Sequence, residues 1–339
     1  MSINPARAPW TPFHAQVHQT LRDRSLLPPG AKILIAVSGG QDSLCLAQLL
    51  LDLQPLWAWD LSIAHCDHRW RSDSADNAYH VRSMAQAWEL PYHEAVAQGD
   101  VSTEAKARNW RYESFTTIAN IQNHTHIALG HTATDRAETL IYNLARGSGA
   151  EGLQALGWSR LIRSDSPIQI IRPLLAVTRT QTGEFCRDRQ LPIWHDSTND
   201  DLTYSRNRIR QQIIPLLQEA LNPQADRHLA QTAELLTADV LFLQEQAEIL
   251  YGQVVENFGL GHDYKLNRHK LAAAPLALQR RVLRLFCKSV LKFNPTFEQI
   301  EDLIRLLTSP QRSQSSTFKG GAIGVVMGDY LTWRLSRKL

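Results

Sequence analysis

Cysteine is scarce and scattered. Only four occur in 339 residues, Cys45, Cys66, Cys186 and Cys287, and no two form a CxxC pair. A zinc site or an iron–sulfur cluster therefore has no support in the pattern, and dispersed thiols fit a reducing, cytoplasmic setting. Long apolar runs are missing too. The opening MSINPARAPWTPFHAQ has no apolar segment of the secretion-signal kind, and no uncharged apolar stretch approaches the roughly 18 residues that a membrane span needs. A membrane partner is not expected. There is no internal repeat and no low-complexity segment. What remains, 43% hydrophobic and 20% charged residues, is the composition of an ordinary soluble protein, and the length favours two domains.

Charge of one sign is short everywhere but at one end. From Gln279 onward eleven Lys/Arg face only four acids, Glu298, Glu301, Asp302 and Asp329, a local excess of +7 within a net +3 that leaves −4 for the rest. A basic end suits a polyanionic partner, although solvated surface charge explains it as well.

The stretch that organises the chain is Ala31 to Leu53, AKILIAVSGGQDSLCLAQLLLDL. Ile33 to Val37 has the length and β-rich makeup of a buried strand. Gly39 and Gly40 follow, Asp42 and Ser43 stand where an N-cap is expected, and Leu46, Leu49, Leu50 and Leu53 then recur at helical spacing. A helix N-terminus behind a glycine turn directs free N–H groups and a positive dipole end at whatever sits there, and phosphate fits. The turn lacks the GxxxxGK[ST] spacing and the lysine of a Walker A loop.

Further strands are expected at Leu61–Ala64, Tyr92–Val96, His126–Leu129 and Ile168–Leu175, with helices at Phe13–Leu26, Ser74–Trp88, Ser102–Ile121 and Arg179–Arg189. In an open parallel sheet, ligands bind beyond the carboxyl ends of the strands. The second strand ends in His65-Cys66-Asp67-His68-Arg69-Trp70-Arg71, whose alternation without a partner cluster favours nucleotide contact over metal. Glu104, Arg108 and Arg111 share a helix face, as a solvated ion-pair stripe or a surface turned to nucleotide or RNA. The fourth strand leads to Gly130-His131-Thr132-Ala133-Thr134-Asp135-Arg136-Ala137-Glu138. Asp135 and Glu138 lie in a first helical turn, where the dipole alone favours acids and where they are also placed to bind a cation. Arg146 to Leu153 contains GxGxxG, but a helix precedes it, so a Rossmann reading fails its context and a helix-ending loop near the cleft is expected. Arg206, Arg208 and Arg210 crowd a helix start, which the dipole opposes, so a negative group such as phosphate should compensate. Pro215 to Pro223 reads as a boundary. Leu229, Ala233, Leu236, Val240, Leu243, Ala247 and Leu250 then form a heptad seam. Its alternation of large and small residues suggests packing on the protein's own body, with a homodimer left open. A smaller α+β part follows: a strand near Tyr264–Leu266, helices Ala277–Leu291 and Thr296–Leu307, and strands Ser316–Phe318, Ala322–Met327 and Tyr330–Leu335.

Taken together these boxes resemble a known family. Ser38-Gly39-Gly40-Gln41-Asp42-Ser43 matches the SGGxDS pyrophosphate loop of the N-type ATP pyrophosphatases. His65, Asp67, His68 and Arg71 match the HxDHxxR box of tRNA(Ile)-lysidine synthases. So do EAxAR…RY from Glu104 to Tyr112, RGxGxxGL from Arg146, and DxSN…RNxIR as Asp196-Ser197-Thr198-Asn199 and Arg206-Asn207-Arg208-Ile209-Arg210. The family's GHxxDDQxET box departs here at Thr134 and Arg136, and Thr198 replaces a serine.

The resemblance implies a doubly wound, mainly parallel α/β domain at 31–217, after a lead-in helix at 1–30. A linking helix at 218–260 and a small basic α+β tRNA-binding domain at 261–339 would follow, without the extra C-terminal domain of longer members. It implies an ATP-dependent ligase of the cytoplasm that joins L-lysine to C2 of cytidine 34 in the CAU-anticodon tRNA(Ile), through an adenylated intermediate, releasing AMP and pyrophosphate. ATP would be bound by Ser38, Gly39, Gly40, Gln41, Asp42, Ser43, His65 and His131, with Mg²⁺ on Asp42. Asp42, Asp135 and Glu138 would be catalytic, Asp135 as the base for the lysine amine. Arg108, Arg111, Arg206, Asn207 and Arg210 would bind lysine or tRNA. The alternatives are another enzyme of this loop class, such as a tRNA thiolase, for which Cys66 and Cys186 make no suitable pattern, or a non-catalytic ATP- or RNA-binding module.

Overall fold

A computed structural model describes residues 10–70, 73–99, 101, 103–257 and 264–335. Arg71, Ser102, Arg337 and Lys338, used in the reading above, lie outside the described residues. The chain divides into two compact units between Leu236 and Thr237.

The first unit is a six-stranded sheet flanked by helices. Helix α1 (Pro12–Asp23) leads in, capped by Thr11, with proline in its first turn where no N–H is missed. Strand β1 (Lys32–Ala36) is central, and Ile33, Leu34 and Ile35 are wholly buried. Helix α2 (Gln41–Trp57), β2 (Asp60–Asp67), α3 (Ser74–Ala87), β3 (Tyr92–Val96), α4 (Glu104–Ile121) and β4 (His126–Leu129) alternate in order. Then come α5 (Ala133–Ala145), α6 (Ala150–Leu153), β5 (Ser159–Leu161), β6 (Gln169–Ile171) and α7 (Arg179–Asp188). The order across the sheet is β3-β2-β1-β4-β6-β5. All neighbours are parallel except β5, which runs antiparallel to β6 at the edge. The direction of winding reverses between β1 and β4, and this opens the crevice in which α/β sheets bind ligands.

The remaining helices of this unit follow a run of Arg-rich sequence. Helix α8 (Ser205–Arg208), a π-helical turn (Ile209–Ile213) and α9 (Ile214–Ala220) join end to end. Ile209 and Ile214 pack on Ala137, with Ile141 and Leu229 closing the cluster, so this run lies along α5. Helix α10 (Ala225–Val254) begins in the first unit and continues into the second. The heptad residues Ala233, Val240 and Ala247 are buried along it.

The second unit holds an antiparallel sheet, β7-β8-β11-β10-β9, and, among the described residues, three further α-helices after α10. Its elements are β7 (Val255–Asn257), β8 (Tyr264–Asn267), α11 (Arg268–Ala272), α12 (Leu276–Leu291), α13 (Phe297–Leu306), β9 (Gln314–Thr317), β10 (Ala322–Met327) and β11 (Tyr330–Leu335). Its core holds Val282, Leu283 and Phe286 of α12 against Ile300 and Leu303 of α13.

Several expectations are corrected. The strand expected at Ile168–Leu175 is only Gln169–Ile171, because the chain turns at Arg172. Its antiparallel partner β5 is fully exposed and carries no buried pattern to announce it. The first strand of the last hairpin group sits at Gln314–Thr317 instead of Ser316–Phe318, and Phe318 is buried beside it. The glycine-rich segment after α5 contains α6 and contributes nothing to the cavity described below. Thirteen residues of α5 carry it roughly 20 Å away from the strand ends.

One glycine sets how closely β4 and α2 approach. A Cβ on Gly130 would lie 2.8 Å from the Asp42 carbonyl oxygen and 3.1 Å from Ser43 Cα, both backbone atoms. Gly130→Ala is therefore expected to cost about 1–3 kcal/mol, as overpacking does, and a thermal melt that matches the parent would overturn this reading of the β4–α2 contact.

Candidate functional site

The carboxyl ends of β1, β2 and β4 frame a cavity of about 390 Å³. Its wall contains Ser38 to Ser43 without Gly39, His65 to His68, Arg108, Arg111 and Tyr112 of α4, and Gly130, His131 and Asp135. Asn77, Arg179, Asp196, Arg206, Asn207 and Arg210 also line it. Sequence positions nearly 175 apart thus meet at the winding reversal.

The glycine turn is built to bring backbone close. Gly39 has φ +88, and a Cβ there would meet Asn77 Oδ1 at 2.6 Å and Trp194 Cβ at 3.2 Å. Only glycine combines that backbone with that neighbour distance. The N-cap is Gly40, not Asp42 or Ser43 as expected, and no side chain caps the helix. Ser43 turns back instead: its hydroxyl donates to the Gly40 carbonyl (2.9 Å) and accepts from Ser38 N–H (3.2 Å). The hydroxyls of Ser38 and Ser43 lie 3.2 Å apart. Gln41 spends its amide on helix α7, donating to the Arg179 carbonyl (2.7 Å) and Thr182 Oγ1 (3.0 Å). Asp42 also reaches α7, accepting from Arg179 Nη1 (2.9 Å) and Thr182 Oγ1 (2.5 Å). Burial nevertheless pushes the Asp42 carboxyl above its ordinary range, Asp135 adds to this, and Arg179 only partly offsets it. Arg179, Thr182 and Asn77 were not singled out from the sequence; they lie 137, 140 and 35 positions from Asp42, and no local pattern joins them.

Across the cavity two carboxylates meet two guanidiniums, with Asp135, Arg206 and Arg210 in the wall and Glu138 buried behind them. Asp135 Oδ1 accepts from Arg206 Nη2 (2.9 Å) and Arg210 Nη2 (3.1 Å). Glu138 accepts from Arg206 Nε (2.8 Å) and Arg210 Nε (2.6 Å). The Glu138 side chain is only 1% exposed. The negative groups expected beside these arginines are thus supplied by the chain itself. Asp135 is further fixed by a capping box, its Oδ2 accepting from the Thr132 N–H and hydroxyl at 2.8 Å each. Burial would raise its pKa, but Arg206, His131, Arg210 and the Thr132 N–H outweigh that and hold it at about 2. Asp135 is ionised at neutral pH.

The histidines have defined roles in the wall. His65 lies 3% exposed with Nδ1 2.8 Å from the Val37 carbonyl. Since a carbonyl only accepts, Nδ1 carries a proton. His131 is the reverse. Arg172 Nε donates to its Nδ1 (3.3 Å), which puts the proton on Nε2. Burial, with Arg172, Arg206 and Arg108 nearby, depresses the His131 pKa to about 3, so the ring is neutral. Arg108 donates to Tyr112 Oη (3.3 Å) and lies over its ring, 5.2 Å from the centroid. Burial pulls the Arg111 pKa down. Neither arginine has a carboxylate partner among the described residues. Asn207 lines the wall but uses its amide to tie down the Thr198 (2.9 Å) and Asp201 (2.8 Å) carbonyls.

Comparison with known proteins matches these two units to named families. A profile described as a PP-loop domain matches residues 10–217, and one described as the TilS substrate binding domain matches residues 266–324. A tRNA(Ile)-lysidine synthase of Nostoc sp. is 51% identical over 96% of this chain and 97% of its own length. One of Synechocystis sp. is 47% identical over 96% of this chain and 98% of its own. Among solved structures, the U34-tRNA thiolase NcsA from Methanococcus maripaludis overlays with a TM-score of 0.56 at 17% identity, covering 66% of this chain and 78% of that one. At that identity it speaks to the fold alone. No helix among the described residues is long and apolar enough to cross a membrane.

The two cavity aspartates should respond to pH with opposite signs. Asp42 has a raised pKa, so its ionised form costs stability at neutral pH and the cost fades as pH falls. Asp135 falls from the usual 3.8 to about 2, so its contribution is present above pH 4 and lost toward pH 2. Asp42→Asn is expected to hold or raise the melting temperature at pH 7. Asp135→Asn is expected to lower it, by a margin that shrinks toward pH 2. Melts across that range check both, and two shifts of the same sign at pH 7 would refute the assignment.

Proposed function

The chain belongs to the tRNA(Ile)-lysidine synthase family, and on that premise we propose that it joins L-lysine to C2 of cytidine 34 in the CAU-anticodon tRNA(Ile), using ATP. The observation that carries the reading is the charge layout of one cavity. A glycine turn at a helix N-terminus lies on one side and a self-neutral quartet of two carboxylates and two guanidiniums on the other.

In this reading cytidine O2 attacks the α-phosphate of ATP and pyrophosphate leaves. The leaving charge faces the N-terminus of α2, with the hydroxyls of Ser38 and Ser43 turned into the same loop. Gly39, Gly40, Gln41, His65 and His131 belong to the same nucleotide site. Mg²⁺ would be held by Asp42, a buried carboxylate in the cavity wall beside the glycine turn, with Arg179 as its present partner. Bound there it would neutralise phosphate charge.

Lysine suits the quartet because it carries both signs of charge. Its carboxylate can take Arg206 and Arg210, and its ammonium can take Asp135 and Glu138. The exchange has a chemical consequence. A carboxylate held at about 2 is a poor base. Once Arg206 and Arg210 turn to the substrate carboxylate, the substrate ammonium takes their place beside Asp135, which leaves this carboxylate as the adjacent acceptor for the ammonium's proton. Binding of lysine converts Asp135 from an anchor into a base for an amine whose free pKa is about 10.4. Arg108 and Arg111, without carboxylate partners, are available to the RNA or to the substrate carboxylate, and Asn207 shapes the loop beside them. The basic second unit would hold tRNA through its backbone. A cytoplasmic location belongs to the same reading, and nothing in it requires a second copy of the chain.

The test is incorporation of labelled lysine into a tRNA(Ile) transcript with a CAU anticodon. Labelling is expected only with ATP and Mg²⁺ present, and is expected to vanish when cytidine 34 is replaced. Asp135→Asn is expected to abolish it; normal turnover in that variant would exclude the base role. Pyrophosphate release without labelling would keep the loop assignment and overturn the lysine reading.

A further inference from the structure

The first turn of α5 is gripped from two sides, and only one of them is the cavity. Asp135 and Glu138 face Arg206 and Arg210. Their neighbours Thr134 and Arg136 point elsewhere, because successive helical residues are about 100° apart. Both meet acids at the start of α10. The Thr134 hydroxyl donates to Asp226 Oδ2 (2.9 Å), and Asp226 is 7% exposed. Gln218 Nε2 donates to the other oxygen at 3.3 Å, and Arg227 N–H does so at 2.9 Å. Arg136, 1% exposed, donates through Nη1 to Glu234 Oε2 (2.6 Å). Trp158 Nε1 donates to the same oxygen (2.8 Å), and Arg24 Nη1 donates to Oε1 (2.5 Å). Thr134 does one thing more. Its oxygen accepts from the Arg179 N–H (3.2 Å), whose side chain holds Asp42.

We propose that Asp226 and Glu234 are positioning residues for the Asp135–Glu138 carboxylate pair, acting through Thr134 and Arg136. The physical need is specific. The four ion pairs on the cavity side must open when a charged substrate enters, and they cannot hold α5 in place during that exchange. The contacts on the opposite side touch no substrate and persist through it. Arg136 is almost wholly buried, and drawing it away from Glu234 would break a charge-assisted hydrogen bond out of reach of water, so this side is the stiffer of the two. The two positions at which the α5 box departs from the family pattern are thus the two that meet α10 acids.

The proposal rests on the reading that the carboxylate pair receives lysine. Asp226→Asn and Glu234→Gln keep side-chain size and remove charge, and neither touches the cavity. Each is expected to raise the KM for lysine about tenfold, within the roughly hundredfold that a 1 Å misplacement can cost, while the KM for ATP stays within about twofold. Thr134→Val combined with Asp226→Asn is expected to be no worse than the poorer single variant, since both break one contact, whereas Thr134→Ser should keep the parental lysine KM. Lower melting temperatures with an unchanged lysine KM would make the contacts merely structural and overturn the proposal, as would equal losses for lysine and ATP. A parent protein that incorporates no lysine would overturn the functional reading and this one with it.

Discussion

Glu138 cannot stand alone. Its side chain is 1% exposed, and a buried carboxylate stripped of its partner costs about 3–5 kcal/mol. The fold meets this demand with Arg206 and Arg210, one helical turn apart, each bonded to both Glu138 and Asp135. Much follows from that demand. The helical run that carries the arginines must lie along α5, and Ile209 and Ile214 do this by packing on Ala137 beneath the charges. The π turn at Ile209–Ile213 falls within this run and contains Arg210 itself. The wider winding changes the angle at which Arg210 leaves the helix relative to Arg206. An ion-pair quartet of this kind is stable only while every member is paired, so any ligand that enters must bring replacements for what it displaces.

The sheet brings the quartet within reach of the glycine turn. Parallel strands deliver their carboxyl ends to one edge, and the winding reversal between β1 and β4 leaves a gap there. Gly130 lets the end of β4 come against the Asp42 backbone, and Gly39 lets Asn77 and Trp194 close on the turn from the other side. Helix α7 then ties the turn down through Gln41 and Asp42, which spend their polar atoms on Arg179 and Thr182. The loop residues that read as direct nucleotide contacts therefore divide, in this geometry, into a serine pair facing the turn and a Gln–Asp pair that braces it.

What could be read from the chain is what is encoded within a few residues. Strand β1, the glycine turn, the amphipathic α10 and the acids at the start of α5 all announce themselves by local spacing. Edge strand β5 did not, because an exposed three-residue strand has no burial pattern. The N-cap was misplaced because Asp42 and Ser43 are good capping types, while tertiary partners claim both side chains. The arginine-rich helix start was expected to need an outside anion, since its real counter-charges lie some 70 positions earlier. Thr134 and Arg136 looked like losses from a catalytic box. Their use depends on Asp226 and Glu234, 92 and 98 positions away, and no periodicity connects residues across that distance.

Two aspartates share this cavity and are pushed in opposite directions. Asp42 is raised by burial despite its bond to Arg179, and Asp135 is lowered by two guanidiniums despite deeper burial. Two guanidiniums act on each; at Asp42 burial and the charge of Asp135 prevail over them, and at Asp135 the guanidiniums and the Thr132 N–H prevail over burial. A site that separates the affinities of two like groups in this way also separates their duties. In the proposed reaction the buried Asp42 would take a metal ion beside the nucleotide, and the two guanidiniums bonded to Asp135 would turn to an incoming carboxylate. In the proposed reaction the second exchange would set a protonated amine beside Asp135 as its arginines turn away, so binding and proton acceptance would be linked through the same two arginines. The grip of α10 on the opposite side of α5 is what allows those arginines to change partners without the carboxylates moving with them.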